Sequence, residues 1–533
     1  MSRQQFTSRN NIGQVLTFQK SGSTTSFDPT VTFSSGSRRV SWRLDNGSGT
    51  TQTVDNVITY TGFTSDPAIR TIQMRGNSFR NIRVFNLSND NLYGHLDLTS
   101  LSELGGVLGF GGVFQVFSNR NLTGITHSQS SQHFSQYYAY NCNLTGNLDL
   151  TPLSRLGGDF QVFSNTSLTS ITHTQSSQNF SQYVAYDCNL TGNLDLTPLS
   201  GLGGSFQVYG NRNLTGITHS HSSRNFSSYW AQACNLTGNL NLTPLSGLGG
   251  SFSVHSNTGL TSITHTQSSQ NFSSYMAYGC NLTGNLDLTP LSGLGGNFQV
   301  YNNTGLTNIT HTQSSQNFSA YIAYGCNLTG NLDLTPLSGL GGAFGVYGNT
   351  NLTGITHTQS SRNFTAYLAN TCNLTGTLDL SPLTKLGGSS SGISSTILTT
   401  YSNPNLTNII FPNSNQFFKN SENNESNGAF ALQSCNLDYI DFTPLSGSTL
   451  LSGSTQGRPR ISLRDNGMSS TDVNHILVDF SGNATNNQIG WSNINLNIGG
   501  TNSAPDSSSG GYNGIAARNF LTGSPYNWII THS

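Results

Sequence analysis

One period governs this chain. Cys142, Cys188, Cys234, Cys280, Cys326 and Cys372 recur every 46 residues, and Asn119, Asn165, Asn211, Asn257, Asn303 and Asn349 form a second series with the same spacing. The two series interleave, as the step from Asn211 to Cys234 to Asn257 shows, so the unit is about 23 residues in two alternating flavours. A unit this short cannot bury an apolar face alone, whereas stacked copies can, and that points to a solenoid.

The Asn flavour reads Phe206-Gln-Val208-Tyr-Gly-Asn211-Arg-Asn-Leu214-Thr-Gly-Ile217. The Cys flavour reads Tyr229-Trp-Ala231-Gln-Ala-Cys234-Asn-Leu236-Thr-Gly-Asn-Leu240-Asn-Leu242-Thr-Pro-Leu245. Each opens on a short strand with alternate residues inward, then Asn or Cys, then Leu. This pattern resembles the leucine-rich repeat, L-x-L-x-x-[N/C]-x-L, and the Leu-Thr-Gly that follows resembles its long-repeat, plant-type subclass. Strict copies run across residues 113–380, and looser ones extend them: Phe85-Asn-Leu87 to Asp90, Leu398 to Asn403, Phe430 to Cys435, and Ile461-Ser-Leu463 to Asn466. The resemblance implies an α/β-type solenoid dominated by parallel β, with about 16 coils over residues 81–468.

In such a spiral, strands stack at roughly 4.8 Å, and Phe206, Val208, Leu214 and Ile217 point into a continuous core. The Asn column is expected to work as a hydrogen-bonded ladder, because each side-chain amide can satisfy backbone groups of the adjoining turn. Cys in the alternate coils serves as a small buried hydrophobe. Equivalent cysteines are two coils apart, roughly 10 Å, and a disulfide needs Cα atoms within about 7 Å. All seven cysteines, Cys435 included, are therefore expected to be free.

The two ends read differently. Within residues 1–80, Val40-Ser-Trp42-Arg-Leu44 alternates, Asp45-Asn-Gly47 signals a turn, and Ile58-Thr-Tyr60 and Ile72-Gln-Met74 read as further strands. Trp42 to Gly47 followed by Val57 to Tyr60 resembles a PKD-type β-sandwich, a small β-domain capping the first coil. Over residues 469–533, Ser470-Thr-Asp472 is a helix start opening Val473 to Val478, Ile494 to Ile498 a strand, Gly514 to Leu521 a second helix, and Trp528-Ile-Ile a closing strand. This segment resembles the α/β cap that follows leucine-rich repeats in proteins of Bacteroidetes bacteria and their phages. Caps are expected, since an open coil end exposes core and strand edges.

Composition narrows the function. Charged residues are 8% of the chain, and 21 Lys and Arg against 22 Asp and Glu leave a net charge of −1. Nucleic-acid binding needs a basic surplus and is excluded as a role. No apolar run reaches the roughly 18 residues of a membrane span, so no insertion is expected. The start, Met-Ser-Arg-Gln-Gln-Phe, lacks the apolar core of a secretory signal.

Most candidate chemistry dissolves into the repeat. His127, His173, His219, His265, His311 and His357 recur in Ile-Thr-His every second coil. Neighbours roughly 10 Å apart cannot share one metal ion, and they read as turn-stabilising residues. Asp149, Asp195, Asp287, Asp333 and Asp379 are expected to accept backbone N–H bonds; Asn241 interrupts the series and weakens a calcium ladder. No nucleophile elbow and no phosphate loop occur. No catalytic residue, cofactor or metal is expected, and the chain is read as no enzyme.

The outward strand positions carry what remains. The late position runs Phe117, Tyr140, Phe163, Tyr186, Tyr209, Gln232, His255, Tyr278, Tyr301, Tyr324, Tyr347, Asn370, a column dominated by Phe and Tyr. The early position holds Gln115, Gln161, Gln207 and Gln299 in Asn coils, but Tyr138, Val184, Trp230, Met276, Ile322 and Leu368 in Cys coils. Stacked aromatics stiffen a sheet through cross-strand pairs, whereas a long aromatic and apolar face marks a partner site. The partner reading, on the concave face, leads. The near-identical repeats and the cap resemblance imply a phage virion component, a fibre, spike or decoration protein used in assembly or attachment. A secreted cell-surface adhesin is the alternative. Expected partners are other virion or surface proteins, a cell-surface glycan, or further copies of the chain.

Overall fold

The computed structural model describes residues 14–21, 29–33, 40–44, 48–50, 69–76, 82–101, 104, 111–131, 133–386, 398–412, 417–418, 430–446, 449–450, 460–486 and 491–532. The turn at Asp45 to Gly47 and the strand at Ile58 to Tyr60 lie outside these residues. The chain forms two compact units, Met1–Leu248 and Gly249–Ser533. Each is a parallel β-solenoid.

In the first unit, Ile82–Asn86, Gly112–Gln115, Phe134–Tyr138, Gly158–Gln161, Phe180–Val184, Gly204–Gln207 and Phe226–Trp230 stack in parallel. Phe114 faces Tyr137, Tyr137 faces Phe160, and so on to Phe206 facing Tyr229. Positions one repeat apart thus occupy equivalent places on successive rungs. A second line of short parallel pairs, such as Thr145–Asp149 with Ser167–Thr172, closes another side of each coil. A third line consists of single bridges, Ser130 to Leu153 and Ser176 to Leu199.

The edge that would lie open at the start of this stack is covered. Thr30–Phe33 pairs antiparallel with Ile82–Asn86, and Gln14–Ser21 pairs antiparallel with the start of Leu92–Leu98. Gln14–Ser21 also pairs with Ile69–Gly76, which in turn carries Val40–Leu44. Both lines of coil strands therefore meet a crossing strand that takes up their free hydrogen-bonding groups.

In the second unit the main sheet runs Gly250–Ser253, Phe272–Met276, Gly296–Gln299, Phe318–Ile322, Gly342–Gly345, Ser360–Leu368, Leu398–Thr399, Phe430–Ala431, Arg460–Ser462, Asn495–Asn497 and Ile529–Thr531, all parallel. Two helices, Ser470–Asn486 and Gly514–Thr522, cover its later coils. The first begins earlier and runs further than Val473 to Val478. Its cap is Ser469: the Asp472 N–H donates to Ser469 Oγ, and the Ser469 N–H donates back to Asp472 Oδ2. That reciprocal pair is a capping box with aspartate in place of glutamate.

The Asn column is what ties coil to coil. Asn165 Nδ2 donates to Val162 O at 2.7 Å and Ala139 O at 2.9 Å, while its Oδ1 accepts the Leu144 N–H at 3.1 Å. Each such amide is fully buried and satisfies three backbone groups, two of them on the preceding coil. In the alternate coils Cys188 Sγ donates to Val162 O at 3.3 Å. Burial pushes the Cys142, Cys188 and Cys234 thiols up to about 12, and all seven cysteines are free and buried. Around this ladder lie Leu190, Leu194, Leu196, Leu199 and Leu202 of one coil, all buried, each worth about 1.5–3 kcal/mol.

Asn303 makes the same three bonds, to Ala277 O, Val300 O and the Leu282 N–H. Asn303→Ala is expected to cost about 2–4 kcal/mol, since each buried backbone group left bare costs about 1–3 kcal/mol and some relaxation recovers part. Urea unfolding followed by circular dichroism checks it. A loss under 1 kcal/mol would mean the amide only fills space.

Candidate functional site

The late outward column becomes two ring stacks. In the first unit Phe117, Tyr140, Phe163, Tyr186 and Tyr209 lie face to face, with centroids 4.5–4.6 Å apart and planes within 6–13°. In the second unit His255, Tyr278, Tyr301, Tyr324 and Tyr347 do the same, at 4.3–4.6 Å. The rung spacing of a β-sheet, about 4.8 Å, falls within the range of offset stacking, so equivalent rings on successive rungs must stack. All these rings are half-buried.

That geometry decides what the column can touch. Every interior ring has both faces covered by its neighbours, so only ring edges and phenol hydroxyls reach outward. A sugar ring has no free aromatic face to lie on except at the stack ends. Neighbouring phenols act on one another electrostatically, Tyr186 on Tyr209, Tyr278 on Tyr301 and Tyr324 on Tyr347. Burial, with the neighbouring Tyr186, pushes the Tyr209 phenol up to about 12; burial and Tyr278 do the same to Tyr301. The Tyr209 and Tyr301 phenols are therefore neutral across the physiological range.

The early column is less uniform. Tyr138 and Trp230 are half-buried, whereas Val184 is buried at 5% exposure and offers a partner nothing. Trp230 leans over Tyr209, 6.2 Å between centroids and tilted 58°. The Tyr138 hydroxyl donates to Asp159 Oδ2 at 3.2 Å. Met276, Ile322 and Leu368 are half-buried in the second unit. The glutamines between them are tied sideways: Gln115 Nε2 donates to Gln136 Oε1 at 2.9 Å, Gln161 Nε2 to Gln182 Oε1 at 2.8 Å, and Gln299 Nε2 to Asn297 Oδ1 at 2.9 Å.

Those bonds reveal a third outward column that sequence reasoning missed. It runs Gln136, Asp159, Gln182, Ser205 and Ser228 in the first unit and Ser251, Ser274, Asn297, Ala320, Ala343 and Ala366 in the second. The signal was available, since these residues lie two before the early position, on the same side of the pleat. Asp159 is the one ionisable carboxylate among them, and the face is otherwise neutral.

The histidine series is placed differently from expectation. These residues do not brace exposed turns. His127, His219, His265 and His357 are buried and His173 and His311 half-buried, and His127 Nε2 hydrogen-bonds the Tyr137 hydroxyl at 2.8 Å. The same bond joins His173 to Tyr183, His219 to Tyr229, His265 to Tyr275, His311 to Tyr321 and His357 to Tyr367, at 2.9–3.0 Å. The physical reason is the inward tyrosine ten residues on, whose buried hydroxyl needs a partner. These tyrosines alternate with Phe114, Phe160 and Phe206 in a buried aromatic column, centroids 4.8–5.6 Å apart.

The aspartates stay at the surface. Asp195 Oδ1 accepts the Thr197 N–H at 3.0 Å and its hydroxyl at 2.7 Å, which holds the carboxyl below its usual value. Asn241 accepts the same two bonds from Thr243, which explains why Asn substitutes there. Among the described residues no three His, Cys, Asp or Glu side chains converge as metal ligands would.

Removing one interior ring leaves two others with a bare face. Tyr301→Ala is expected to cost about 1–3 kcal/mol, from lost burial and two stacking pairs of about 0.5–1.5 kcal/mol each, while Tyr301→Phe costs under about 1 kcal/mol. Thermal and urea melts check this; equal losses would assign the effect to the hydroxyl. No family model, curated protein or solved structure matches the chain.

Proposed function

We propose that this chain is a non-enzymatic binding scaffold of the leucine-rich-repeat type, with about 16 coils, acting as a structural or attachment component of a phage particle. One observation carries the binding part: beside a late column that is mostly Phe or Tyr, the half-exposed Tyr138 and Trp230 of the first unit and Met276, Ile322 and Leu368 of the second vary in size and shape from coil to coil. A purely stiffening column gains nothing from that variety. Anchors of this kind supply contact area at low entropic cost.

The chemistry of the face sets the kind of partner. It is neutral and presents phenol hydroxyls, ring edges and amides, so it suits an uncharged protein surface, another copy of the chain, or a hydroxyl-rich glycan met edge-on. The particle setting rests on the near-identical coils and on the resemblance of residues 469–533 to the cap of leucine-rich-repeat proteins of phages.

Two measurements test this reading. Mass spectrometry of purified particles is expected to find the chain; its absence from them would end the particle assignment. Tyr209→Ala combined with Trp230→Ala, in the full chain, is expected to weaken capture by purified particles or by an array of neutral oligosaccharides by tenfold or more. The melting temperature should fall by only a few degrees. A large fall in melting temperature with capture intact would reduce the column to stiffening.

A further inference from the structure

Each unit carries three of the buried His–Tyr pairs: His127, His173 and His219 in the first, and His265, His311 and His357 in the second. In all six the second ring nitrogen, Nδ1, is buried with no hydrogen-bond partner. The ring edge packs on phenylalanine, Phe114 against His127 at 5.4 Å and Phe298 against His311 at 6.1 Å. A neutral imidazole tolerates this place, because one nitrogen serves the tyrosine and the other carries no charge. A protonated imidazole has two N–H donors and a charge, and the place satisfies one donor only.

We propose that these six pairs form an acid-responsive device: taking up protons at mildly acidic pH opens the coil core of each unit as one cooperative event.

The groups facing each imidazole are few. Across the hydrogen bond lies a tyrosine hydroxyl, which stays neutral in acid. Cys142, Cys188, Cys234, Cys280, Cys326 and Cys372 lie near those tyrosines and are uncharged thiols. Through space, Asp149 acts on His127, Asp195 on His173, Asp287 on His265, Asp333 on His311 and Asp379 on His357. His219 has Asn241 at the corresponding position and no such carboxylate acting on it. The carboxylates favour the charged imidazole, but burial dominates. It holds His127 and His219 at about 3, and His173, His265, His311 and His357 at about 4.

The direction follows from linkage. In the unfolded chain these imidazoles titrate near 6.5, so between about pH 6.5 and 4 the unfolded state holds more protons than the folded one. Stability is therefore full above about 6.5 and is lost as pH falls toward the folded values. Each pair shifts the folding equilibrium about tenfold per pH unit in that window, and three pairs shift a unit about a thousandfold. Few other groups compete in a chain with 8% charged residues.

The test is thermal unfolding of the full chain from pH 7.5 to 4.5, with proton uptake at pH 5.5 measured by calorimetry in buffers of different ionisation enthalpy. The melting temperature should be level above about 7 and fall steeply below 6. The double variant His311→Leu, Tyr321→Phe, an apolar pair of similar shape, should take up about one proton fewer and show a shallower fall. A level melting temperature down to pH 4.5, or a variant with unchanged uptake, would overturn the device. Should the variant not fold, imidazole resonances of the unaltered protein decide. Those six should stay at their neutral shifts down to pH 4.5 while the protein is folded, and titration near 6.5 in the folded state would sink the idea.

Discussion

Register is the constraint on which everything else here rests. Parallel pairing at about 4.8 Å puts the same repeat position of each coil directly over the last, so a side chain's chemistry is decided by its copies above and below. Asn165 spans from its own strand to the coil before it, and every Asn of the series does the same where its bonds are described. Loss of one amide frees backbone groups on two coils at once. A solenoid's stability is close to a sum over nearest-neighbour interfaces, so such a loss is local in place but felt by the whole stack.

The same register turns repeated residues into columns with collective properties. Tyrosine on a single strand is a flexible, half-exposed phenol. Tyr278, Tyr301 and Tyr324 in column have their faces closed by one another, at 4.4–4.6 Å. The proposed binding face is consequently pre-ordered, and a partner would meet it without the entropic cost of fixing long side chains. What varies across it, Trp230 or Met276 or Leu368, sits beside that rigid column rather than within it.

Much of this was legible in residue spacing alone. Inward Phe206 and Val208, the Asn ladder and unpaired cysteines follow from period and reach. The His–Tyr bond did not, because His127 and Tyr137 lie on different sides of one coil, and a linear pattern does not say which sides meet inside. The left-handed residue before each Asn or Cys was equally hidden. Ser164, Asp187, Ala233, Gly325 and Thr371 all adopt φ between 49° and 61° there, and so varied a set leaves no signature, although alanine and threonine pay conformational strain for it. The third outward column escaped notice because Gln136, Ser228 and Ala320 share no residue type, only a place on the pleat.

Register also explains why the period is 46 residues and not 23. Two carboxylates one rung apart would repel by about 1 kcal/mol in water and about 4 kcal/mol near a protein surface. In the aspartate column, Asp149 is followed by Thr172, then Asp195, then Thr218, and the threonine hydroxyls donate to the aspartates at 3.2–3.3 Å. Doubling the period thus replaces a repulsion by a hydrogen bond. The buried column obeys the same logic: Tyr137, Phe160, Tyr183 and Phe206 alternate, so each hydroxyl has its own histidine and an apolar ring separates it from the next. Leucine columns obey it too, since Leu196 stands beside His219 and Leu199 beside Ser176, an apolar residue next to each polar one. A chain built this way has little room for charge, which is why so few of its residues bear any.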